Sequence, residues 1–155
     1  MKLKKIIKSF LPPLIAGVIG GLFVAFGKID YNSINKPPFS PEKNVFMIVW
    51  PILYLLISIS TYLYLNSKNG LDETKSKGIV IYYLDMFFNS MWTFFYFYLG
   101  YFLFSSIWLA VLIIIVASRI YLYFKINKLS GLINVIYFIW LSFALYLNFS
   151  TFLLN

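Results

Sequence analysis

The sequence predicts an all-α integral membrane protein: a bundle of five transmembrane helices, with a long first loop capping an internal pocket. Three observations carry that prediction. Of 155 residues, 61% are hydrophobic and only 12% are charged, and the mean hydropathy is +0.83; the surface of a water-soluble domain is not that apolar. The charges gather in short patches between long apolar runs, and these runs are continuous rather than alternating, which excludes a transmembrane β-barrel. Five of the runs are close to the ~20 residues a helix needs to cross a hydrocarbon core of about 30 Å.

The first run spans residues 10–29. It is too long and too proline-marked for a signal peptide and lacks a small-residue cleavage site, so it is expected to stay in the mature protein. Pro12 and Pro13 suit the first turn of this helix, where a missing N–H costs nothing. Ala16 with Gly20, and Gly17 with Gly21, form two overlapping pairs of small residues. Such a face admits close approach of another helix, either within the bundle or from a second copy in a homodimer. Residues 28–43 form a loop long enough to fold over a cavity. The second run, 44–65, holds Pro51, which removes one backbone bond and is expected to loosen the turn above it. A polar linker, 66–78, leads to the third and fourth runs, 79–99 and 101–124. One helix over 79–124 would be roughly 69 Å long at 1.5 Å per residue, so the chain must turn between them, and Gly100 is the only helix breaker there. A short turn over 125–129 leads to the fifth run, 130–154. The chain, 1–155, is read as a single membrane domain.

Orientation follows from lysine and arginine. Lys2, Lys4, Lys5, Lys8, Lys68, Lys75, Lys77, Lys125 and Lys128 fall on one side, with Arg119 one to two turns inside; Lys28, Lys36 and Lys43 fall on the other. This places the N-terminus in the cytoplasm and the first loop outside. The net charge of +8 is thereby assigned to topology and anionic lipid in the bilayer rather than to nucleic acid. The chain has no cysteine and no histidine, which removes disulfides, thiolate nucleophiles, the commonest metal ligand and the usual general base. No metal site and no cofactor are expected.

Three helices present stripes that mix aromatic and polar groups. Phe46, Trp50, Tyr54 and Ile57 share a face of the second; Asp85, Asn89, Trp92 and Tyr96 of the third; Tyr137, Trp140, Ala144 and Asn148 of the fifth. Aromatic stripes usually pack a core or form an interfacial belt. Here, however, Trp50, Trp92 and Trp140 lie inside their segments, and each stripe carries a hydrogen-bonding group. Asp85 is the only acid within a span; it must face the bundle interior or water, as a structural bond to a neighbouring helix or as part of a site. Arg119 is expected to snorkel toward the inner surface rather than pair with Asp85. Such stripes suit a large, flat, apolar ligand, with aromatic walls on its faces, a few polar groups to orient it, and Lys28, Lys36 or Lys43 for an anionic edge.

These residues resemble the TspO family of tryptophan-rich sensory proteins, related to the translocator protein or peripheral benzodiazepine receptor. The family reads roughly W-Y-x-x-L-x-K-P-x-[WF]-x-P-P and then [VI]-F-x-x-[VI]-W-x-x-L-Y. This chain has Asp30-Tyr31, then Lys36-Pro37-Pro38-Phe39-Ser40-Pro41, Val45-Phe46 and Val49-Trp50-Pro51-Ile52-Leu53-Tyr54. The family's Q-L-x-x-N-x-x-W is matched by Asp85 to Trp92 with Asn89, and its P-Y-x-x-W-x-x-x-A-x-x-L-N by Ile136-Tyr137, Trp140, Ala144 and Leu147-Asn148. The match covers nearly the whole chain. Asp30, Glu42, Asp85 and Ile136 depart from the pattern, standing where the family has tryptophan, proline, glutamine and proline. A loose sterol-type pattern at Val116, Tyr121 and Lys125 does not support sterol recognition, because nothing basic follows Tyr146, where animal members carry theirs.

The resemblance implies a membrane protein, commonly dimeric, that binds porphyrins such as protoporphyrin IX and benzodiazepine-type ligands between its helices under the first loop, here in a bacterial cell membrane. Trp50, Asn89, Trp140 and Ala144 match pocket positions. Tyr31, Phe46, Tyr54, Asp85, Trp92 and Tyr137 join them from the face argument. Some bacterial members are described as degrading protoporphyrin in light and oxygen, with the tryptophans matching Trp50 and Trp140 implicated; indole is the most easily oxidised side chain here, so these two are the candidate catalytic residues. Sensing, carriage and light-driven degradation all remain open from the residues themselves.

Overall fold

The computed structural model describes residues 2–155. Five long helices account for most of the chain: α1 (Lys2–Ala25), α2 (Lys43–Asn66), α3 (Asp72–Thr93), α4 (Phe102–Ile126) and α5 (Lys128–Leu154), with a π-helical turn, Phe94–Tyr98, continuing α3. No strand occurs among the described residues. The helices close into a ring in the order α1, α2, α5, α4, α3, each packed against two neighbours. Leu53, Ile57, Leu109, Leu112, Val116, Leu141 and Ala144 fill its centre. Leucine, isoleucine and phenylalanine cover much of the outside, among them Leu14, Ile48, Ile114, Ile139 and Leu153, as a hydrocarbon environment requires. Helices α1, α2, α4 and α5 are long and apolar enough to cross a membrane.

α3 differs because its first turns are polar. Asp72 and Glu73 lie where the helix dipole favours anions, and Lys77 pairs with Glu73 one turn away at 2.6 Å. These groups hold residues 72–78 in the helix, where the sequence suggested a linker; apolar length alone does not detect a polar helical turn.

α1 likewise starts at Lys2 rather than at residue 10, since lysine is a good helix former. Pro12 and Pro13 consequently sit in its interior, not in its first turn. Pro13 donates no bond to the carbonyl four residues back, that of Ser9. The Tyr82 hydroxyl of α3 donates to that carbonyl instead, at 2.7 Å.

At the chain reversal before α4, Leu99 N–H bonds to Phe94 O at 3.0 Å and Tyr101 N–H to Phe95 O at 2.9 Å. Gly100 takes φ +72° there, and a Cβ on it would come within 2.9 Å of Ile29. Both conformation and space therefore demand glycine. Between α4 and α5 only Asn127 is non-helical, and its side chain accepts from Ser130 N–H at 3.0 Å to cap α5.

Ala16, Gly17 and Gly20 of the small-residue stripe on α1 pack inside the ring, whereas Gly21 is exposed. Ala16 and Gly20 are buried, and a Cβ on Gly17 would lie 3.1 Å from the Tyr54 ring. Residues 26–42 connect α1 to α2. Ile29 N–H bonds to Phe97 O at 3.1 Å, and Asn35 exchanges bonds with the Asn155 side chain at 3.0 and 2.9 Å. The loop is thus tied to the π-helical turn and to the end of α5.

Candidate ligand site

α2 supplies the frame of the site. Its 3.6-residue period stacks Phe46, Trp50 and Tyr54 on successive turns. The Trp50 ring lies 5.7 Å from Tyr54 and 5.7 Å from Trp92 of α3. Trp92 continues to Tyr96 at 6.0 Å, whose hydroxyl donates to Thr151 Oγ1 at 3.3 Å. One turn before Trp50, Phe46 meets Tyr31 of the loop at 5.4 Å and Trp140 of α5 at 5.8 Å, edge to face. Tyr31 donates to Pro41 O at 3.1 Å, and the Lys36 ammonium stands 4.3 Å over its ring. The indole nitrogens of Trp92 and Trp140 are buried without a hydrogen-bond partner, unlike that of Trp108, which donates to Phe88 O at 2.8 Å.

Beneath the aromatic rings runs a polar chain that crosses four helices. Tyr54 Oη donates to Asn89 Oδ1 at 2.7 Å, Asn89 Nδ2 to Tyr137 Oη at 2.7 Å, and Tyr137 Oη to Asp85 Oδ1 at 3.0 Å. The other carboxylate oxygen of Asp85 forms an ion pair with the Arg119 guanidinium of α4. Arg119 also donates to Asn134 Oδ1 of α5, and Asn134 Nδ2 donates to Ser60 Oγ and Ser130 O. Asp85 and Arg119 are both 0% exposed.

Arg119 therefore does not snorkel. It lies on the inward stripe of α4 with Leu112, Val116 and Tyr123, about 10 Å of helix short of the α4 end. Burial is tolerated because an anion neutralises it and the rings of Tyr82, Tyr123 and Tyr137 surround it at 5.8, 5.7 and 5.5 Å.

The sequence singles out ten residues as ligand-binding. Tyr31, Phe46 and Trp140 form one aromatic group, and Trp50, Tyr54 and Trp92 another; Tyr54 joins Asn89, Tyr137 and Asp85 in the polar chain. Ala144 is buried in the core one turn from Trp140. Asn148 points elsewhere, bonding Ser105 of α4 at 3.0 Å. Arg119, Asn134, Ser60 and Ser130 also belong to the polar chain, beyond the residues the sequence singles out. The signal was present for two of them: Asn134 is one turn from Tyr137 on the same α5 face, and Arg119 continues the stripe of Leu112 and Val116. Two grooves lie elsewhere. One of 440 Å³ is lined by Ile81, Ala117, Ser118, Tyr121 and Leu122; one of 370 Å³ runs between α1 and α3 past Lys8, Pro12 and Tyr83. In the site itself the aromatic rings lie against one another.

A helical ring with an apolar outside and an interior of indoles, phenols and amides defines an integral membrane protein. The chain belongs to the TspO/MBR family, whose model matches residues 9–154. It is 31% identical to Protein CrtK of Rhodobacter capsulatus over 94% of this chain and 89% of that protein. It is 30% identical to the tryptophan-rich protein TspO of Archaeoglobus fulgidus over 100% and 99%, and 27% identical to the tryptophan-rich sensory protein of Cereibacter sphaeroides over 81% and 76%.

Proposed function

We propose that the protein is a membrane receptor or carrier that binds porphyrins, protoporphyrin IX among them, and benzodiazepine-type ligands among the aromatic residues of α2, α3, α5 and the first loop. In this reading all five helices span the membrane, the N-terminus is cytoplasmic, the first loop lies over the pocket, and the protein works as a homodimer in a bacterial cell membrane. One observation carries the reading: rings from four segments converge, and the Trp92 and Trp140 N–H groups among them are buried without acceptors. A buried donor without a partner costs ~1–3 kcal/mol, and a ligand carbonyl or carboxylate would recover that cost. Because the rings lie against one another, binding requires them to part, with the tie between the loop and Asn155 as the natural point of yielding.

The alternative is a light- and oxygen-dependent enzyme that degrades protoporphyrin. The contact of Trp50 with Trp92 and Tyr54 favours it, because an electron lost from Trp50 to an excited porphyrin is replaceable from an adjacent oxidisable ring. Titration of the purified protein with protoporphyrin IX in the dark, then in light with oxygen, separates the two. Saturable dark binding without protein-dependent bleaching supports the receptor. Bleaching that disappears in Trp50→Phe or Trp140→Phe supports the enzyme, and absence of saturable binding overturns both.

A further inference from the structure

We propose that Asp85 and Arg119 are positioning residues that fix the direction of hydrogen bonding at the candidate site, so that it selects flat ligands presenting an N–H to Tyr54. The inference rests on the ligand-site reading above and deepens it. A guanidinium remains protonated inside a protein, and in an interior this dry its charge requires an anion. Arg119 thus keeps Asp85 as a carboxylate, which accepts hydrogen bonds and donates none. Tyr137 must then donate its hydroxyl proton to Asp85, as the 3.0 Å contact has it. With its only proton committed, Tyr137 Oη accepts from Asn89 Nδ2. The Asn89 amide is thereby oriented with Oδ1 toward α2, where it accepts the Tyr54 hydroxyl proton.

Every proton in the row points toward the carboxylate. Tyr54 Oη, next to Trp50 in the aromatic row, offers a ligand only its lone pairs. The unpartnered donor in the same aromatic group is the Trp92 indole. The complement of one acceptor and one donor is a ligand edge with an N–H beside a carbonyl, as in a secondary lactam. A glutamine at position 85, which the family pattern has, accepts or donates at Tyr137 according to its amide rotamer and imposes no direction. Direction is therefore a property of the Asp85–Arg119 pair of this chain.

Two measurements test this in the full-length protein. The first needs no ligand. The Raman doublet of tyrosine distinguishes a phenol that donates from one that accepts, and spectra of the protein minus those of Tyr137→Phe and of Tyr54→Phe isolate the two residues. Tyr54, which only donates in the row, is expected to show the donor signature, and Tyr137, which donates to Asp85 and accepts from Asn89, the signature of a phenol that does both; an acceptor signature at Tyr54 overturns the proposal. The second compares binding of a benzodiazepinone with a free lactam N–H and its N-methyl counterpart. The N–H compound is expected to bind about tenfold more tightly, the factor one net hydrogen bond supplies. In Asp85→Asn/Arg119→Gln, which removes both charges and keeps polar side chains at both positions, the ratio should fall toward one, and Arg119→Lys, which keeps the cation, should retain it. An equal affinity for the two compounds in the unmodified protein, or a ratio that survives the double substitution, overturns the selection. If neither compound binds while both tyrosines donate, the ligand reading fails and the direction of the row stands.

Discussion

The Tyr82 hydroxyl of α3 donates to the Ser9 carbonyl of α1 at 2.7 Å, and both residues are fully buried. Ser9 stands four residues before Pro13, so its carbonyl has no intrahelical donor. A proline inside α1 is thus compensated by a phenol on a neighbouring helix. Tyr82→Phe should destabilise the protein by ~1–3 kcal/mol, the cost of an unsatisfied buried acceptor. In a Pro13→Ala background the alanine N–H serves that carbonyl, and the same substitution should cost markedly less. Thermal unfolding of the four proteins in detergent gives the coupling directly; additive effects would show that the two sites are independent.

The ion pair of Asp85 and Arg119 predicts an asymmetry between single and double substitutions. Removing either partner leaves a charge in a dry interior, and Asp85→Leu or Arg119→Met is expected to cost ~3–5 kcal/mol. Removing both leaves apolar groups of similar volume, and the double variant should recover most of that loss. Urea or thermal unfolding checks the order; a double variant as unstable as the sum of the singles would contradict it.

Gly17 and Gly21 lie one turn apart on α1 and should respond differently. A Cβ at Gly17 would approach the Tyr54 ring to 3.1 Å, whereas one at Gly21 meets nothing within 4 Å. Gly17→Leu should displace Tyr54, break its bond to Asn89 and weaken the proposed protoporphyrin binding at least tenfold, since about 1.4 kcal/mol suffices for that factor. Gly21→Ala should bind as the parent does and match or exceed its melting temperature. Spectroscopic titration and melting of both variants decide the matter.

Much of this was legible because a membrane interior writes strong signals. Five apolar runs and one glycine between two of them gave the helices and the reversal at Gly100, whose positive φ only glycine adopts without strain. The i, i+4 spacing put Phe46, Trp50 and Tyr54 on one face of α2 and Asp85 and Asn89 on one face of α3, while the contact of Asn89 with Tyr54 is tertiary. Helix ends were less legible. Lys2–Lys8 and Asp72–Lys77 are polar turns continuous with apolar helices, and hydropathy measures what crosses hydrocarbon, not where the hydrogen-bond ladder stops. The fate of Arg119 was misread for a related reason. Snorkelling is the lower-cost outcome for an isolated arginine, and only the ring order that sets α4 beside α3 and α5 brings Asp85 and Asn134 within its reach. That neighbour relation is tertiary: the stripe of Leu112 and Val116 marks position 119 as inward-facing, but not which groups it meets there.

The first loop is tied at its middle to the end of α5, and this tie should govern access. Asn35 N–H donates to Asn155 Oδ1 at 3.0 Å while Asn155 Nδ2 donates to Asn35 O at 2.9 Å, so one side-chain amide pairs with one backbone unit in both directions. Asn35 Nδ2 adds a bond to Leu154 O at 3.3 Å. These bonds are exposed and together stabilise by only ~1–2 kcal/mol, far less than the burial of the helices. Asn155→Ala should therefore leave the melting temperature nearly unchanged while raising amide exchange across residues 28–42. If the loop closes over bound ligand, association and dissociation should both accelerate in Asn155→Ala with little change in affinity, because a looser loop lowers the barrier in both directions. Hydrogen exchange by mass spectrometry and stopped-flow porphyrin binding read the two effects separately. Faster exchange without faster ligand kinetics would show that the loop is anchored at Asn155 but does not gate the site.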